Sequence, residues 1–102
     1  MARLIWTEPA LSDLDAMADY IALDDPEAAR KLVRKIFAHV GQLAEFPESG
    51  SIPRELLPMR RYRQIVEKPC RIFYRAEPKK VYVVHVMRGE QTLPRRNLSR
   101  KT

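Results

Sequence analysis

The sequence contains little cysteine, little glycine and no long apolar segment. Its one cysteine, Cys70, excludes an intramolecular disulfide and, without a cluster of histidines, a zinc site. Only three glycines and a hydrophobic content of 45% exclude a disordered or low-complexity chain. No apolar stretch is long enough to span a membrane, and the initial "MARLIW" lacks the apolar run of a signal peptide. We therefore expect one compact cytoplasmic domain that uses no metal and no cofactor.

Charge is separated along the chain. Residues 1–51 contain five Lys/Arg and nine Asp/Glu, a net charge of −4, whereas residues 52–102 contain fourteen and four, a net charge of +10. A basic half of this strength is typical of a protein that binds nucleic acid or an acidic protein segment. The alternative is a basic surface that serves solubility alone.

The first half of the sequence predicts one strand and two helices. "RLIWT" (3–7) suits a short N-terminal strand, and Thr7 can cap the helix that follows. Asp25 and Pro26 give a second start signal for a helix that runs to about Phe46. Both segments repeat apolar residues at helical spacing, and the short link between them predicts an antiparallel hairpin.

The second half changes to a period of two. After a long connection (46–61), the segments 62–66, 70–75 and 80–87 alternate as strands joined by short turns. We predict an α+β domain of order β-α-α-β-β-β. Its N-terminal helical hairpin packs on one face of a mainly antiparallel four-stranded sheet, and its other face is left to solvent or a partner.

The segment "CRIFYR" (70–75) places two arginines on the predicted open face. Alternation puts Arg71, Phe73 and Arg75 on one side and turns Tyr74 inward with Ile72. Guanidinium groups bind carboxylates or phosphates in a bidentate manner. The arginines could therefore be catalysts on a phosphate chain, anchors for an acidic partner, or surface residues with little effect.

Several stretches together resemble the ParE/RelE toxin superfamily of bacterial type II toxin–antitoxin systems. The most specific are "LAEFPESG" at the end of the hairpin and "RIFYR" in the second strand of the sheet segment, and the likeness covers about residues 3–90. The resemblance implies the fold above, a toxin domain at 1–90 with a basic tail at 91–102, and a cognate antitoxin. RelE-like members cleave messenger RNA on the ribosome, whereas ParE-like members inhibit DNA gyrase.

The residues that RNA cleavage needs are incomplete. Metal-independent cleavage requires a base, a group that stabilises the phosphate and an acid. Arg71 matches the strand arginine of RelE-like toxins, and Arg61, Arg63 and His85 could assist it. However, Gln91 stands where a second catalytic arginine is expected, and no tyrosine or histidine follows His85.

We expect His85 to be a core residue that shares a face with Val83 and Met87. The sequence thus favours a ParE-like gyrase inhibitor that is not an enzyme. A RelE-like ribosome-dependent endoribonuclease is the alternative. A third is a non-toxic domain that acts only through its antitoxin in a DNA-bound regulatory complex.

Two sets of binding residues follow from this interpretation. The antitoxin is expected to present an acidic and apolar C-terminal segment to Arg71, Phe73, Arg75 and Arg63. Gyrase or its DNA is expected to contact basic residues after the last strand, which are Arg88, Arg95, Arg96, Arg100 and Lys101. For the tail, a frayed terminus without function is the alternative.

Overall fold

A computed structural model describes residues 1–57 and 61–89 and confirms the predicted order of elements. The strands are β1 (Arg3–Trp6), β2 (Tyr62–Glu67), β3 (Cys70–Ala76) and β4 (Lys80–Arg88), and the helices are α1 (Glu8–Ala22) and α2 (Pro26–Gly41). Among the described residues between α2 and β2, the 3₁₀ turn Gln42–Ala44 directly follows α2, and the 3₁₀ turn Arg54–Leu56 lies in the long connection. None of the helices in the described ranges is long and apolar enough to cross a membrane.

Both helices begin at the predicted caps. The side chain of Thr7 accepts a hydrogen bond from the N–H of Ala10, and that of Asp25 accepts one from the N–H of Ala28. These bonds satisfy donors that the first helical turn leaves without a partner in the helix. The second helix ends at Gly41 and not near Phe46, because the chain tightens there into the Gln42–Ala44 turn.

The four strands form one mixed sheet of order β1-β4-β3-β2. β1 runs parallel to β4, and the two remaining pairs are antiparallel. β1 pairs with β4 only as far as Val83. Further along β4, the N–H of Val86 donates to the carboxylate of Asp13 at 3.1 Å, so that a side chain of α1 satisfies this backbone donor.

Apolar side chains fill both faces of the sheet. The larger cluster lies between the sheet and the helical hairpin and includes Ile36, Ile72, Tyr74 and Val83. A smaller cluster on the opposite face consists of Leu56, Tyr62, Phe73 and Val84. The prediction that this second face is left to solvent or a partner is therefore wrong at its centre. The Arg54–Leu56 turn of the long connection folds back over it.

Tyr74 ties the long connection to the main core. The side chain is completely buried, and its hydroxyl accepts a hydrogen bond from the N–H of Gly50 at 2.9 Å. Burial raises the pKa of this hydroxyl above its ordinary value of 10.0, and the bond from Gly50 only partly offsets that effect. The folded protein therefore holds Tyr74 in its neutral form.

Stability should fall as the pH rises above the ordinary pKa of tyrosine. The unfolded chain releases the Tyr74 proton in that range while the folded protein retains it, so the contribution is complete below about pH 10 and is lost as the pH passes the raised pKa. Urea unfolding at about pH 9 and about pH 11 can be compared for the wild type and Tyr74→Phe. At about pH 9, Tyr74→Phe should have a free energy of unfolding about 1 kcal/mol lower than the wild type, because the hydrogen bond is missing. Between about pH 9 and about pH 11, the free energy of unfolding should fall less for the variant than for the wild type. Equal losses would contradict this assignment.

Candidate functional site

Arg71 lies on the sheet face opposite the helices and is held by the chain's own carboxylate. Its two terminal nitrogens donate to the two oxygens of Glu55 at 2.9 and 2.7 Å, and its Nε donates to the side-chain oxygen of Gln64 at 2.9 Å. The two side chains of the pair are 14% and 20% exposed. A bidentate pair with this little exposure fixes the guanidinium and neutralises its charge.

Phe73 is on the predicted face but is not available as an exposed anchor. Its side chain is 0% exposed and packs in the same cluster as Leu56. The guanidinium of Arg71 lies 4.8 Å from the centre of its ring. The expectation that a partner buries this ring is corrected, because the turn that carries Glu55 to Arg71 also places Leu56 in the cluster with Phe73.

The remaining predicted anchors lie on β2 and β3. Arg75 stands 4.6 Å from the centre of the Tyr82 ring, and its Nε donates to Glu77 at 3.0 Å. Arg63 donates to the backbone oxygens of Gly50 at 2.8 Å and Glu48 at 3.2 Å. The sheet thus places Arg71 and Arg75 on one face, whereas Arg63 pairs in register with Tyr74 and lies on the side of the helices. Arg63 and Arg71 both hold the long connection in place.

His85 occupies a position that simple alternation did not predict. A register shift between Phe73 and Tyr74 brings His85 opposite Phe73, with their ring centres 6.5 Å apart, while Val83 faces the helices. The Nδ1 atom of His85 lies against the carboxylate of Asp13. The side chain is 12% exposed, so it is partly buried as expected, but it does not share a face with Val83.

Glu55 and Asp13 are the two site residues that the sequence alone did not reveal. Glu55 belongs to a connection with no periodicity, so nothing in the sequence places it beside a particular strand. Asp13 is one of several carboxylates of α1, and a solvated side chain is the ordinary expectation for each of them. The pair Glu55-Leu56, an acid followed by an apolar residue in a loop, is the one local signal for a segment that folds onto the basic sheet.

The end of β4 forms a second small site with α1. The guanidinium of Arg88 lies 5.1 Å from the centre of the Tyr20 ring, and an open cleft of about 260 Å³ there is lined in part by Met17 and Met87. The other predicted target-binding residues, Arg95, Arg96, Arg100 and Lys101, lie outside the described residues. In residues 1–57 and 61–89, no three His, Cys, Asp or Glu side chains come together as a metal site would require.

The Arg71–Glu55 pair should contribute measurably to stability. We expect Arg71→Met to lower the free energy of unfolding by about 2 kcal/mol, because it leaves a carboxylate partly buried without its cation. Adding Glu55→Gln to this variant should lower the free energy of unfolding only a little further. The double-mutant cycle should therefore give a coupling energy between the two residues of at least about 1 kcal/mol. Urea unfolding of the four proteins measures it.

A matched control is the Arg30–Glu27 pair of α2, whose side chains are 62% and 55% exposed. There the coupling should stay below about 0.5 kcal/mol, because water screens both charges. Equal coupling in the two pairs would mean that burial gives the Arg71–Glu55 pair no advantage.

The chain is similar to toxins along most of its length. Residues 4–93 match the model of a family described as the ParE toxin of the type II toxin–antitoxin system parDE. "Putative toxin Y4kP" of Sinorhizobium fredii is 37% identical over 92 residues, which cover 90% of this chain and 93% of that protein. "Toxin RelE2" of Caulobacter vibrioides is 33% identical over 90 residues, which cover 86% of this chain and 92% of that protein.

A solved structure confirms the fold class. The structure described as the chromosomal ParDE TA system from P. aeruginosa superposes with a TM-score of 0.71 at 29% identity, covering 88% of this chain and 98% of that one. The predicted arrangement of two helices on a four-stranded sheet is therefore correct. The chain belongs to the ParE toxin family of type II toxin–antitoxin systems.

Proposed function

We propose that this ParE-family toxin acts in the cytoplasm as a binding inhibitor of DNA gyrase and that its cognate antitoxin silences it. The observation that supports inhibition over catalysis is the Arg71–Glu55 pair. The arginine that matches the catalytic strand position of RelE-like toxins already binds both oxygens of a carboxylate. A guanidinium held in this way has to lose Glu55 before it can bind a phosphate.

The antitoxin is proposed to bind the basic sheet face through an acidic and apolar segment. Arg75 is the best anchor for its carboxylates, because Glu77 contacts only its Nε and the Tyr82 ring supports its guanidinium. Arg71 contributes to this contact once it releases Glu55, whereas Arg63 lies on the helix side of the sheet, opposite Tyr74 of the main core. Contact with Phe73 requires the Arg54–Leu56 turn to leave the sheet.

Contact with gyrase is proposed at the end of β4. Arg88, stacked on Tyr20 beside the cleft, is the described member of this surface. The basic residues Arg95, Arg96, Arg100 and Lys101 continue it in the sequence. Its contribution should weaken as salt is added, because solvent-exposed charges are screened.

A supercoiling assay tests the gyrase proposal. Purified toxin is mixed with gyrase, ATP and relaxed plasmid, and the products are separated on an agarose gel. We expect the wild-type toxin to prevent supercoiling. Prior addition of the antitoxin should restore supercoiling, and the Arg88→Glu toxin should inhibit less than the wild type. Arg34→Glu, an exposed charge on α2, is the matched control and should inhibit like the wild type. Normal supercoiling at a toxin concentration that arrests growth would reject gyrase as the target.

A RelE-like endoribonuclease is the second candidate, and one observation favours it. Glu55 and His85 lie on the same sheet face as Arg71: Glu55 binds Arg71, and His85 faces the Phe73 ring next to it. The contact of Asp13 with Nδ1 of His85 resembles the way a carboxylate orients a catalytic imidazole. A carboxylate, a guanidinium and an imidazole are the groups that such cleavage needs.

A further inference from the structure

One end of the sheet carries a row of basic side chains that crosses all four strands. Arg3 of β1 pairs in register with Lys80 of β4, and Arg75 of β3 pairs with Tyr82 two residues further along β4. Arg61 immediately precedes β2, whose first residue, Tyr62, is the partner of Arg75. We name these four residues, Arg3, Lys80, Arg75 and Arg61, the basic row.

Three members of the basic row, Arg3, Lys80 and Arg75, share the face opposite the helices, and Arg61 lies against the ring of Tyr62, which belongs to the smaller cluster on that face. Leu4 and Val81 pack against the main core, so alternation turns their neighbours Arg3 and Lys80 to the other side. Arg75 lies over Tyr82 on that side. Arg3, Lys80 and Arg61 are exposed. With neighbouring strands about 4.8 Å apart, the row extends roughly 14 Å.

Arg61 and Arg75 converge on one cleft. Both line an open space of about 380 Å³ together with Ala76 and Glu77. Each guanidinium is supported by a tyrosine ring, Arg61 at 5.3 Å from the centre of Tyr62 and Arg75 at 4.6 Å from the centre of Tyr82. The carboxylate of Glu77 holds Nε of Arg75 and partly offsets its charge. Ring support restricts both long side chains and lowers the entropy lost when an anion binds.

The surroundings favour a polyanion that is held by charge. Residues 61–89 contain eight Lys/Arg and two Asp/Glu. The described lining of the cleft offers no apolar side chain larger than the methyl group of Ala76, so an acidic and apolar peptide finds no pocket for its apolar residues there. A nucleic acid presents a regular series of phosphates along each strand, so a row of cations about 14 Å long can contact more than one of them.

We infer that the basic row is a sequence-independent binding site for the phosphodiester backbone of a nucleic acid. This site is distinct from the gyrase contact proposed at Arg88, and it overlaps the proposed antitoxin surface at Arg75. Binding here is additional to inhibition of an enzyme, and either can fail without the other. Its strength depends on salt, because each phosphate contact releases a counterion.

Fluorescence anisotropy with the full chain tests the site. The probes are two 20-base-pair DNA duplexes of unrelated sequence and a 20-nucleotide single-stranded RNA, titrated between about 50 and 200 mM salt. The test variant is Arg61→Gln with Lys80→Gln, which leaves Arg75 unchanged. We expect equal affinity of the wild type for the two duplexes, at least tenfold weaker binding by the variant, and a salt slope lower by about 1.8, at about 0.9 per lost phosphate contact.

Lys31→Gln with Lys35→Gln is the matched control. It removes the same two charges from exposed positions on α2, outside the row, and should bind DNA like the wild type. Far-ultraviolet circular dichroism and the melting temperature confirm that both variants are folded. If the RNA binds more tightly than the duplexes, the nucleic acid that the row binds is single-stranded.

Three results would overturn the inference. The first is an affinity of the row variant for DNA that equals that of the wild type. The second is an equal loss of affinity in the row and control variants, which would show that total charge and not the row determines binding. The third is release of the probe by polyglutamate at a lower charge concentration than by unlabelled duplex. That result would assign the row to an acidic polypeptide instead.

Discussion

Gly50→Ala is expected to destabilise the protein by about 3 kcal/mol, at the upper end of the range for overpacked sites. A Cβ atom at this position would lie 2.5 Å from the backbone oxygen of Gln64 and 2.6 Å from the hydroxyl oxygen of Tyr74. Neither neighbour is free to move. The Gln64 oxygen accepts a hydrogen bond from the N–H of Ser51, and Tyr74 is completely buried. The variant must therefore shift the long connection off the edge of β2.

Gly41→Ala provides the control for this prediction. Gly41 is the last residue of α2, and a Cβ atom there would have no neighbour within 4 Å. Alanine is the better helix former, so this variant should be as stable as the wild type or more stable by up to about 1 kcal/mol. Urea unfolding of both variants measures the difference. An equal decrease in the free energy of unfolding for the two variants would contradict the steric explanation for Gly50.

Phe73→Ala should lower the free energy of unfolding of the isolated toxin by about 4 kcal/mol, as truncation of a buried aromatic ring does. The ring is completely buried in the cluster with Leu56, Tyr62 and Val84. Removing it leaves a cavity under the Arg54–Leu56 turn and takes away the surface on which the Arg71 guanidinium lies. If a partner were needed to bury this ring, the same truncation would change the stability of the isolated toxin very little.

Val66→Ala is the matched control for Phe73→Ala. Val66 lies in the neighbouring strand β2, but its side chain is half-exposed. Its truncation should cost less than about 1 kcal/mol, since little apolar surface is returned to water. Chemical unfolding of the isolated toxin, with no antitoxin present, gives both values. A loss below about 1 kcal/mol for Phe73→Ala would contradict the burial of this ring by the chain itself.

Local signals in the sequence were sufficient to predict the fold. Thr7 and Asp25 start the helices because their side chains accept backbone hydrogen bonds, a property of the residue and its immediate neighbours. The inward position of Tyr74 follows from strand alternation. The end of α2 was placed too far along, because Leu43 continues the apolar spacing of the helix while the backbone has already tightened into a 3₁₀ turn.

The site was only partly predictable, for two physical reasons. Alternation fails at the register shift beside Phe73, which brings His85 opposite that ring and against Asp13. The position of Glu55 depends on how a long connection folds back over the sheet, which no local pattern specifies. The prediction that Arg71 and Arg75 share one face is correct, but Arg63 lies on the other face, and the neighbours and burial of these side chains are tertiary properties.

Arg71 is proposed to be a paired structural residue in a toxin that acts by binding. The most direct measurement is the length of a reporter message on translating ribosomes after addition of the purified toxin. We expect full-length message with the wild type and also with Glu55→Gln, which replaces the carboxylate that holds Arg71 by a neutral amide. Cleavage phased to the ribosomal A site by the wild type, abolished by Arg71→Lys or His85→Gln in folded protein, would contradict this proposal.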